Sequence, residues 1–287
     1  MKKIGFIGVG IMGKSMVRNL MKAGFEVAIY TRTRAKVEDV IAEGAIWRDT
    51  VKDCVADRDA VISIVGYPKD VEEVYFGENG ILANAPKGAY VIDMTTSSPK
   101  LAVRIYEAAK EAGLYAIDAP VTGGDSGAKA GTLTILAGGD KEAFDACLPV
   151  FEAMGKNINY EGEAGNGQHT KMCNQIAIAG AIAGACEALA YAKGVGLDVQ
   201  TMLDSISTGA AGSAQMSNVI PRILKDDFNP GFFIKHFIKD MKLADGEAVD
   251  ADVKLGTLEY VLGMYEKLEE DGLGELGTQA LIKYYQK

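Results

Sequence analysis

The sequence is poor in residues that bind metals or form disulfides. Its 287 residues include two histidines and only four cysteines, namely Cys54, Cys147, Cys173 and Cys186. The cysteines are far apart and form no CxxC pair, so neither a disulfide framework nor a structural zinc site is expected. We therefore expect no metal site, and we expect a reducing, cytoplasmic location.

Excess positive charge and long apolar runs are also missing. A net charge of −9 argues against nucleic acid or an anionic membrane as the main partner, because either would require a basic face. The longest uncharged apolar run, Ile176 to Cys186, is far shorter than the ~20 residues of a membrane span. The N-terminus superficially resembles a secretion signal, but Lys14 and Arg18 follow at once without a cleavage pattern. We expect neither secretion nor membrane insertion.

The composition is that of a globular protein. Hydrophobic residues make up 48% and charged residues 24% of the chain, and the length suggests about two domains. Charged segments with helical periodicity, such as Ala102 to Ala112, alternate with short apolar runs. This alternation predicts a mostly parallel sheet with helices on both faces. The predicted strands are Lys3 to Ile7, Val27 to Tyr30, Ala60 to Val65, Tyr90 to Asp93, Tyr115 to Asp118 and Leu133 to Ala137.

The pattern changes after about residue 162. Strand-like runs disappear, and alanine, leucine, lysine and glutamate recur at helical spacing, interrupted at NPGF (229–232) and DGLG (271–274). We therefore predict a Rossmann-type α/β domain over residues 1–162. An all-helical domain is predicted over residues 163–287.

The first motif that carries chemistry is GVGIMG. It follows the predicted strand KIGFI and opens a helical segment that ends near Gly24, which is the context that a dinucleotide-binding loop requires. Such a loop uses its glycines for a tight turn, for close approach to a pyrophosphate and for packing of helix on strand. The alternative is a glycine-rich turn in an unrelated α/β domain. The candidate cofactor residues here are Gly8, Val9, Gly10, Ile11, Met12 and Gly13.

The end of the second strand bears on the choice of cofactor. An NAD site would place an acidic residue there, but the chain reads Thr31-Arg32-Thr33, and Glu26 lies at the opposite end of the strand. A guanidinium flanked by hydroxyls suits a 2′-phosphate. We predict NADP (NADPH), with NAD less favoured. A plain solvated helix start at Arg32 and Arg34 is the alternative.

Two further segments follow predicted strands. DMTTSSP brings Thr95 and Thr96 to the carboxyl edge of the sheet, where a cofactor would bind, although both could simply cap a helix. Val65 ends its strand at the same edge and is also a cofactor candidate. DAPVTGG offers the hydroxyl of Thr122, followed by backbone N–H groups at Gly123 and Gly124 that suit a carboxylate. An ordinary turn explains these two glycines equally well.

GNGQHTKMCNQ, residues 165–175, precedes the uncharged run. Lys171 and Asn174 are three residues apart and hence on one face of a helix. A positioned ammonium can stabilise an alkoxide and protonate it as hydride reaches a carbonyl carbon. A solvent-facing lysine is the alternative, but it would oppose the helix dipole. His169 lies on another side of the helix and is not expected to be catalytic.

Together these segments resemble the β-hydroxyacid dehydrogenase family. The similarity covers nearly the whole chain and rests on GFIGVGIMG, DMTTSSP, DAPVTGG with GAKAGTLTILAGG, GNGQHTKMCNQ, and IKDMKLA at residues 238–244. It implies that Lys171 is the catalytic acid/base and that Lys239 contacts the cofactor. It also implies that matched positions in DMTTSSP contact the nicotinamide side.

The resemblance also implies a substrate site. Thr122 and the glycines after it would bind the substrate carboxylate, Asn174 would position the substrate, and Gln175 and Phe232 are further candidates. Two departures from the family are visible: the family usually has Ser where Thr122 stands, and often has Asn where Gln175 stands.

We therefore predict an NADP-dependent oxidoreductase acting on a small β-hydroxyacid and its semialdehyde, assembled as a homodimer or homotetramer. Residues 1–162 would form the NAD(P)-binding domain, and residues 163–287 would form the domain for substrate binding and oligomerisation. The alternatives are an imine reductase-like enzyme, which usually lacks this lysine, and a non-catalytic dinucleotide-binding interaction module. Lys171 and the TGG segment argue against both.

Overall fold

The computed structural model describes residues 1–286, and the chain forms two compact units. The first unit spans Met1–Lys171, and the second begins at Met172. The division therefore falls inside one long helix, α9 (Asn166–Gly194).

The first unit is built on a nine-stranded sheet. Strands β3, β2, β1, β4, β5 and β6 run parallel in that order, β8 is antiparallel to β6, and β7 and β9 both pair with β8. This confirms the predicted mostly parallel sheet. The strands are β1 (Lys3–Ile7), β2 (Glu26–Tyr30), β3 (Ile46–Trp47), β4 (Ala60–Ser63), β5 (Tyr90–Asp93), β6 (Tyr115–Asp118), β7 (Val121–Thr122), β8 (Leu133–Gly139) and β9 (Gly155–Gly162).

Helices connect the strands. The start of α6 follows a local sequence signal: the helix begins with Pro99 after Ser98, whose hydroxyl accepts the N–H of Leu101. The same helix buries Ala102, Ile105 and Ala109 at spacings of three and four, as an amphipathic helix should. The helices are α1 (Ile11–Lys22), α2 (Glu38–Ala42), α3 (Val51–Val55), α4 (Pro68–Phe76), α5 (Ile81–Asn84), α6 (Pro99–Glu111), α7 (Gly124–Ala130) and α8 (Lys141–Met154).

The strand order creates the edge at which ligands bind in such folds. β1 lies between β2 and β4 in the sheet. The connections after β1 therefore build the sheet on one side of it, through β2 and β3, and the connection from β3 to β4 then brings the chain to its other side. A crevice forms outside the carboxyl ends of the strands at such a reversal. The residues that follow β1 and β4, beginning at Gly8 and Ile64, lie at this edge.

The second unit is helical, as predicted. NPGF lies between α11 and α12, and DGLG follows α13, so both predicted interruptions fall between helices. A single antiparallel bridge, Phe233 with Gly277, is the one β pairing of this unit within the described residues. After α9 come α10 (Val199–Ile206), a π-helical turn (Gln215–Val219), α11 (Ile220–Leu224), α12 (Ile234–Asp250), α13 (Gly256–Glu270) and a 3₁₀ segment (Thr278–Tyr285).

Helix α9 supplies one wall of the core of the second unit. Ala179, Ile182, Cys186 and Leu189 are fully buried at spacings of three and four. By length and composition alone, α9 is also the one helix within residues 1–286 that could cross a membrane. In the structure, 44% of the most apolar stretch of α9 is buried, and helices in protein cores can have the same length and composition.

Candidate active site

The glycine loop has the geometry that a dinucleotide requires. Gly8 has a φ of +96°, and a Cβ there would overlap the carbonyl oxygen of Ile64, so a side chain is excluded. A Cβ on Gly13 would overlap the carbonyl oxygen of Gly8, which shows how closely α1 packs on the turn. Gly10, the N-cap of α1, has open space around it, so a phosphate could approach its backbone. Of the intervening residues, Val9 is buried and Ile11 is exposed.

The end of β2 presents Thr31, Arg32 and Thr33 at a partly exposed surface. The Arg32 side chain is 78% exposed, and its Nη1 lies 3.4 Å from Oδ1 of Asp70, a long contact. Glu26 is engaged at the other end of the strand, where its Oε1 accepts a 2.6 Å hydrogen bond from Arg58. The sequence pattern gave no indication of Asp70, which is buried and accepts the N–H of Tyr67 at the start of α4.

Two cofactor candidates that are distant in sequence lie together. The Thr95 hydroxyl accepts a 3.0 Å hydrogen bond from the backbone N–H of Val65. The N–H of Thr95 in turn donates to Oδ1 of Asp93, a buried carboxyl that also accepts from the hydroxyl of Ser63. The loops that follow β4 and β5 are therefore joined through polar side chains at the carboxyl edge. Thr96 is half-buried beside Thr95.

Thr122 ends β7, opposite Thr134 of β8, and α7 begins two residues later. Gly123 and Gly124 have φ values of +126° and +62°, so glycine is required at both positions for conformational reasons. Gly124 is exposed, with no atom near the position of a Cβ. The turn therefore leaves the backbone of both glycines accessible to a small anion.

The first turn of α9 is held by a carboxylate from the sheet. Asp118, the last residue of β6, accepts the N–H of Gly165 at 2.7 Å and the N–H of Gln168 at 2.8 Å. Burial raises the pKa of Asp118 to about 7, although the two N–H donors favour its ionised form. Neither Asp118 nor Gln168 was among the residues predicted from the sequence.

Lys171 lies three residues after Gln168 on the same helix and is buried, with 6% of its surface exposed. Charged residues are rarely this buried in proteins unless paired. His169, in contrast, is exposed. Lys171 is thus buried, whereas His169 lies at the surface of the same helix.

Three candidates of the second unit, Asn174, Gln175 and Lys239, lie in one polar network. The Asn174 amide donates to Oε1 of Gln175 at 2.7 Å, and Gln175 donates to Oδ2 of Asp240 at 2.6 Å. Lys239 Nζ lies 2.9 Å from Oδ1 of the same carboxylate, an ion-pair distance. Asp240 thus brings together Gln175 and Lys239, and the sequence analysis did not single it out.

Phe232 is half-buried, and its ring lies 5.7 Å from that of Phe237. The planes of the two rings are tilted by 59° to each other, a common arrangement of aromatic side chains in a core.

The fold, the glycine loop and the strand-end residues define a nucleotide-binding oxidoreductase of the Rossmann class. Residues 3–162 match the family described as the NAD binding domain of 6-phosphogluconate dehydrogenase. Residues 165–285 match the family described as the NAD-binding of NADP-dependent 3-hydroxyisobutyrate dehydrogenase.

Three curated relatives align over nearly the whole chain. The uncharacterized oxidoreductase YkwC of Bacillus subtilis is 55% identical, covering 100% of this chain and 99% of its own. A probable 3-hydroxyisobutyrate dehydrogenase-like protein of Arabidopsis thaliana is 44% identical, covering 98% and 84%. The NAD-dependent L-serine dehydrogenase of Pseudomonas aeruginosa is 36% identical, covering 99% and 98%.

A solved structure of Psf3 in complex with NADP+ and 2-OPP shares the fold, with a TM-score of 0.90, 26% identity and 99% coverage of both chains. The chain belongs to the β-hydroxyacid dehydrogenase family. It is an NAD(P)-dependent dehydrogenase that acts on a CH–OH group.

Proposed function

We propose that this enzyme transfers hydride between NADP and a small β-hydroxyacid or its semialdehyde acid, with Lys171 as the general acid/base. The observation that carries the proposal is the burial of Lys171 one turn into a helix whose start is bonded to the carboxyl edge of the sheet. A lysine in that position opposes the helix dipole, so helix stability does not explain it.

The chemistry requires a proton to follow the hydride. Bound nicotinamide supplies or accepts the hydride at the carbon that bears the oxygen. In the reducing direction the Lys171 ammonium donates a proton to the carbonyl oxygen as it becomes an alcohol. In the oxidising direction the neutral amine of Lys171 takes the hydroxyl proton.

We infer a preference for NADP from the end of β2. Arg32 is largely exposed, and its 3.4 Å contact with Asp70 is too long and too solvated to hold the guanidinium firmly. It is therefore available to pair with a 2′-phosphate, with Thr31 and Thr33 beside it. One relative is NAD-dependent and one similar structure contains NADP+, so the preference depends on the residues of this chain.

The remaining cofactor contacts follow from the loops at the carboxyl edge. Residues Gly8 to Gly13 would bind the pyrophosphate through backbone N–H groups at the start of α1. Val65, Thr95 and Thr96 would contact the nicotinamide side, and Lys239 is a further proposed cofactor contact.

We propose that the substrate is recognised by its carboxylate. Thr122 offers a hydroxyl, and Gly123 and Gly124 adopt left-handed conformations that expose backbone N–H groups. Asn174 and Gln175 would orient the polar part of the substrate, and Phe232 would line its apolar side. A site built around an anion loses affinity steeply when the anion is missing.

A substrate panel tests this proposal. Purified enzyme is assayed with 3-hydroxyisobutyrate, L-serine, tartronate semialdehyde, glyoxylate and succinic semialdehyde, each with both cofactors, by nicotinamide absorbance. At least one acid should react with NADPH more efficiently than with NADH. An uncharged analogue of that acid should react far less well. Equal efficiency on the acid and its uncharged analogue would remove the carboxylate site from the proposal.

We further propose that the chain forms a homo-oligomer through its second unit and acts in the cytoplasm. Large apolar side chains are exposed there, including Tyr191 and Val249, each 70% exposed, and Tyr260, 64% exposed. Burying these side chains against a second copy would remove their apolar surface from water. The cytoplasmic location rests on the four cysteines, which are all unpaired thiols.

A further inference from the structure

The first turn of α9 is capped by a residue of the sheet that is distant in the sequence. Most helices cap their first turn with a side chain that immediately precedes it. Here the acceptor is Asp118, which binds the N–H groups of Gly165 and Gln168 from 47 and 50 residues earlier in the chain. The carboxylate and both donors are buried, so water does not compete for these bonds.

The Gln168 side chain, which is fully buried, also hydrogen-bonds the start of α9 to the loop after β5. Its Nε2 donates to the carbonyl oxygen of Thr95 at 2.7 Å, and its Oε1 accepts from the N–H of Ser97 at 2.9 Å. A single side chain thus satisfies two backbone groups of the loop after β5. This loop includes Thr95, whose hydroxyl also binds the N–H of Val65.

The approach of helix to sheet is close enough to require glycine. A Cβ on Gly167 would lie 2.6 Å from the carbonyl oxygen of Asp118 and 2.8 Å from its Oδ2, and would overlap the carbonyl oxygen of Leu136. The two glycines of GNG therefore have distinct roles. Gly165 adopts a φ of +91°, and Gly167 permits the contact that brings the first turn onto Asp118.

We propose that Asp118 and Gln168 are positioning residues that fix Lys171 relative to the loop carrying Thr95. The inference rests on the proposed catalytic role of Lys171. Lys171 is three residues beyond Gln168, on the same helix face, so any tilt or shift of the first turn moves the lysine with it. Displacements near 1 Å at a catalytic group can reduce the rate by about 100-fold.

The experiment compares five proteins: wild type, Gln168→Met, Lys171→Met, the double variant and the control Asn84→Leu. Gln168→Met keeps the length and helix propensity of the side chain and removes both hydrogen bonds. Asn84→Leu is the matched control, because Asn84 also uses its amide on two backbone carbonyls of the first unit, those of Glu78 and Gly80. Single-turnover hydride transfer, NADPH affinity and melting temperature are measured for each protein.

A positioning role predicts a specific combination of results. Gln168→Met should slow hydride transfer by about 10- to 100-fold while changing NADPH affinity by less than about threefold. Asn84→Leu should lower the melting temperature without slowing hydride transfer. The double variant should be no slower than Lys171→Met, within about twofold, because Gln168 acts through Lys171.

Other outcomes separate the failure of this inference from that of the proposed function. If Lys171→Met is inactive and Gln168→Met is as fast as wild type, the positioning role is wrong and the role of Lys171 stands. If Lys171→Met remains active, the role of Lys171 is wrong and the positioning role falls with it. A double variant slowed by the full product of both effects means that Gln168 acts independently, which also overturns the inference.

Two further variants cover a failure of Gln168→Met to fold. Gln168→Glu keeps the shape and the acceptor for Ser97 but loses the donor to Thr95. Asp118→Asn keeps the volume of the side chain but loses one of the two acceptors for the helix N–H groups. Each should slow hydride transfer at least tenfold in a folded protein, and unchanged transfer in both would overturn the inference.

Discussion

At the scale of single residues, Arg32 carries the prediction of cofactor choice. Arg32→Ala should weaken NADPH binding by about 1.5–3 kcal/mol, the range for a hydrogen bond to a charged group, and should leave NADH binding nearly unchanged. Fluorescence titration with both cofactors measures the effect. Arg104→Ala is the control, because Arg104 is also an exposed arginine paired with a carboxylate, that of Glu72. A wild-type enzyme that already used NADH more efficiently than NADPH would contradict the assignment.

A second prediction at this scale concerns Asp118. Its pKa in the folded protein is about 7, above the ordinary value of 3.8, so the folded state holds its proton more tightly than the unfolded state. The contribution of Asp118 to the free energy of unfolding should therefore be largest below about pH 4 and should fall as pH rises to about 7. Three pKa units correspond to about 4 kcal/mol at most.

Urea unfolding of wild type and Asp118→Asn between pH 5.5 and 7.5 tests this prediction. All other titrating groups are common to both proteins, so the difference between the two curves isolates Asp118. The difference should shrink as pH rises. Two parallel curves would show that Asp118 titrates well below pH 5.5 in the folded enzyme.

The residues that the sequence did not reveal share one physical feature. Glycines of the cofactor loop are recognisable because they recur at a fixed local spacing between a strand and a helix. Asp118 and Gln168 act on groups between 47 and 73 residues away, and Asp240 on a partner 65 residues away. No periodicity or spacing encodes such contacts. The available sequence signal for Asp118 was an acidic residue at the end of a predicted strand, at the start of DAPVTGG.

At the scale of secondary-structure elements, the close contact of α9 with β6 and β8 gives a prediction. Gly167→Ala should lower the free energy of unfolding by about 1–3 kcal/mol or more, because its Cβ would press on backbone oxygens that cannot move aside. His169→Ala, in the same turn but exposed, should change it by less than about 0.5 kcal/mol. Chemical denaturation of both variants checks the pair. Similar values for the two would contradict the tight packing.

Elements with strong apolar patterns were predicted well, and those without were not. The parallel strands β1, β5 and β6 have the predicted bounds, because strands buried on both faces are continuous apolar runs. The structure differs at β4, which ends at Ser63, so Val65 lies in the loop that follows. Strand β9, GKNINYEG, which pairs with β8, was not predicted. Most of its residues are polar and partly exposed, so the segment shows no alternation of apolar and polar residues.

At the scale of the whole molecule, the exposed apolar residues of the second unit predict self-association. Sedimentation at micromolar concentration should give a mass at least twice the 30.5 kDa of one chain. Tyr191→Asp should weaken the assembly, because it replaces a largely exposed apolar ring with a charge that is costly to bury. Lys225→Asp, which changes charge at another exposed position of this unit, is the control. A wild-type enzyme that sediments as a monomer would contradict the proposed interface.

The central claim is that Lys171 donates the proton as hydride arrives, and single-turnover hydride transfer at saturating NADPH tests it most directly. Lys171→Met keeps the apolar stem of the side chain, so a folded variant isolates the loss of the ammonium. Lys171→Arg keeps the charge but cannot release a proton near neutral pH. Both should transfer hydride about 10²- to 10⁴-fold more slowly than wild type, with NADPH binding and melting temperature preserved. A folded Lys171→Met enzyme within about threefold of the wild-type rate would contradict the account.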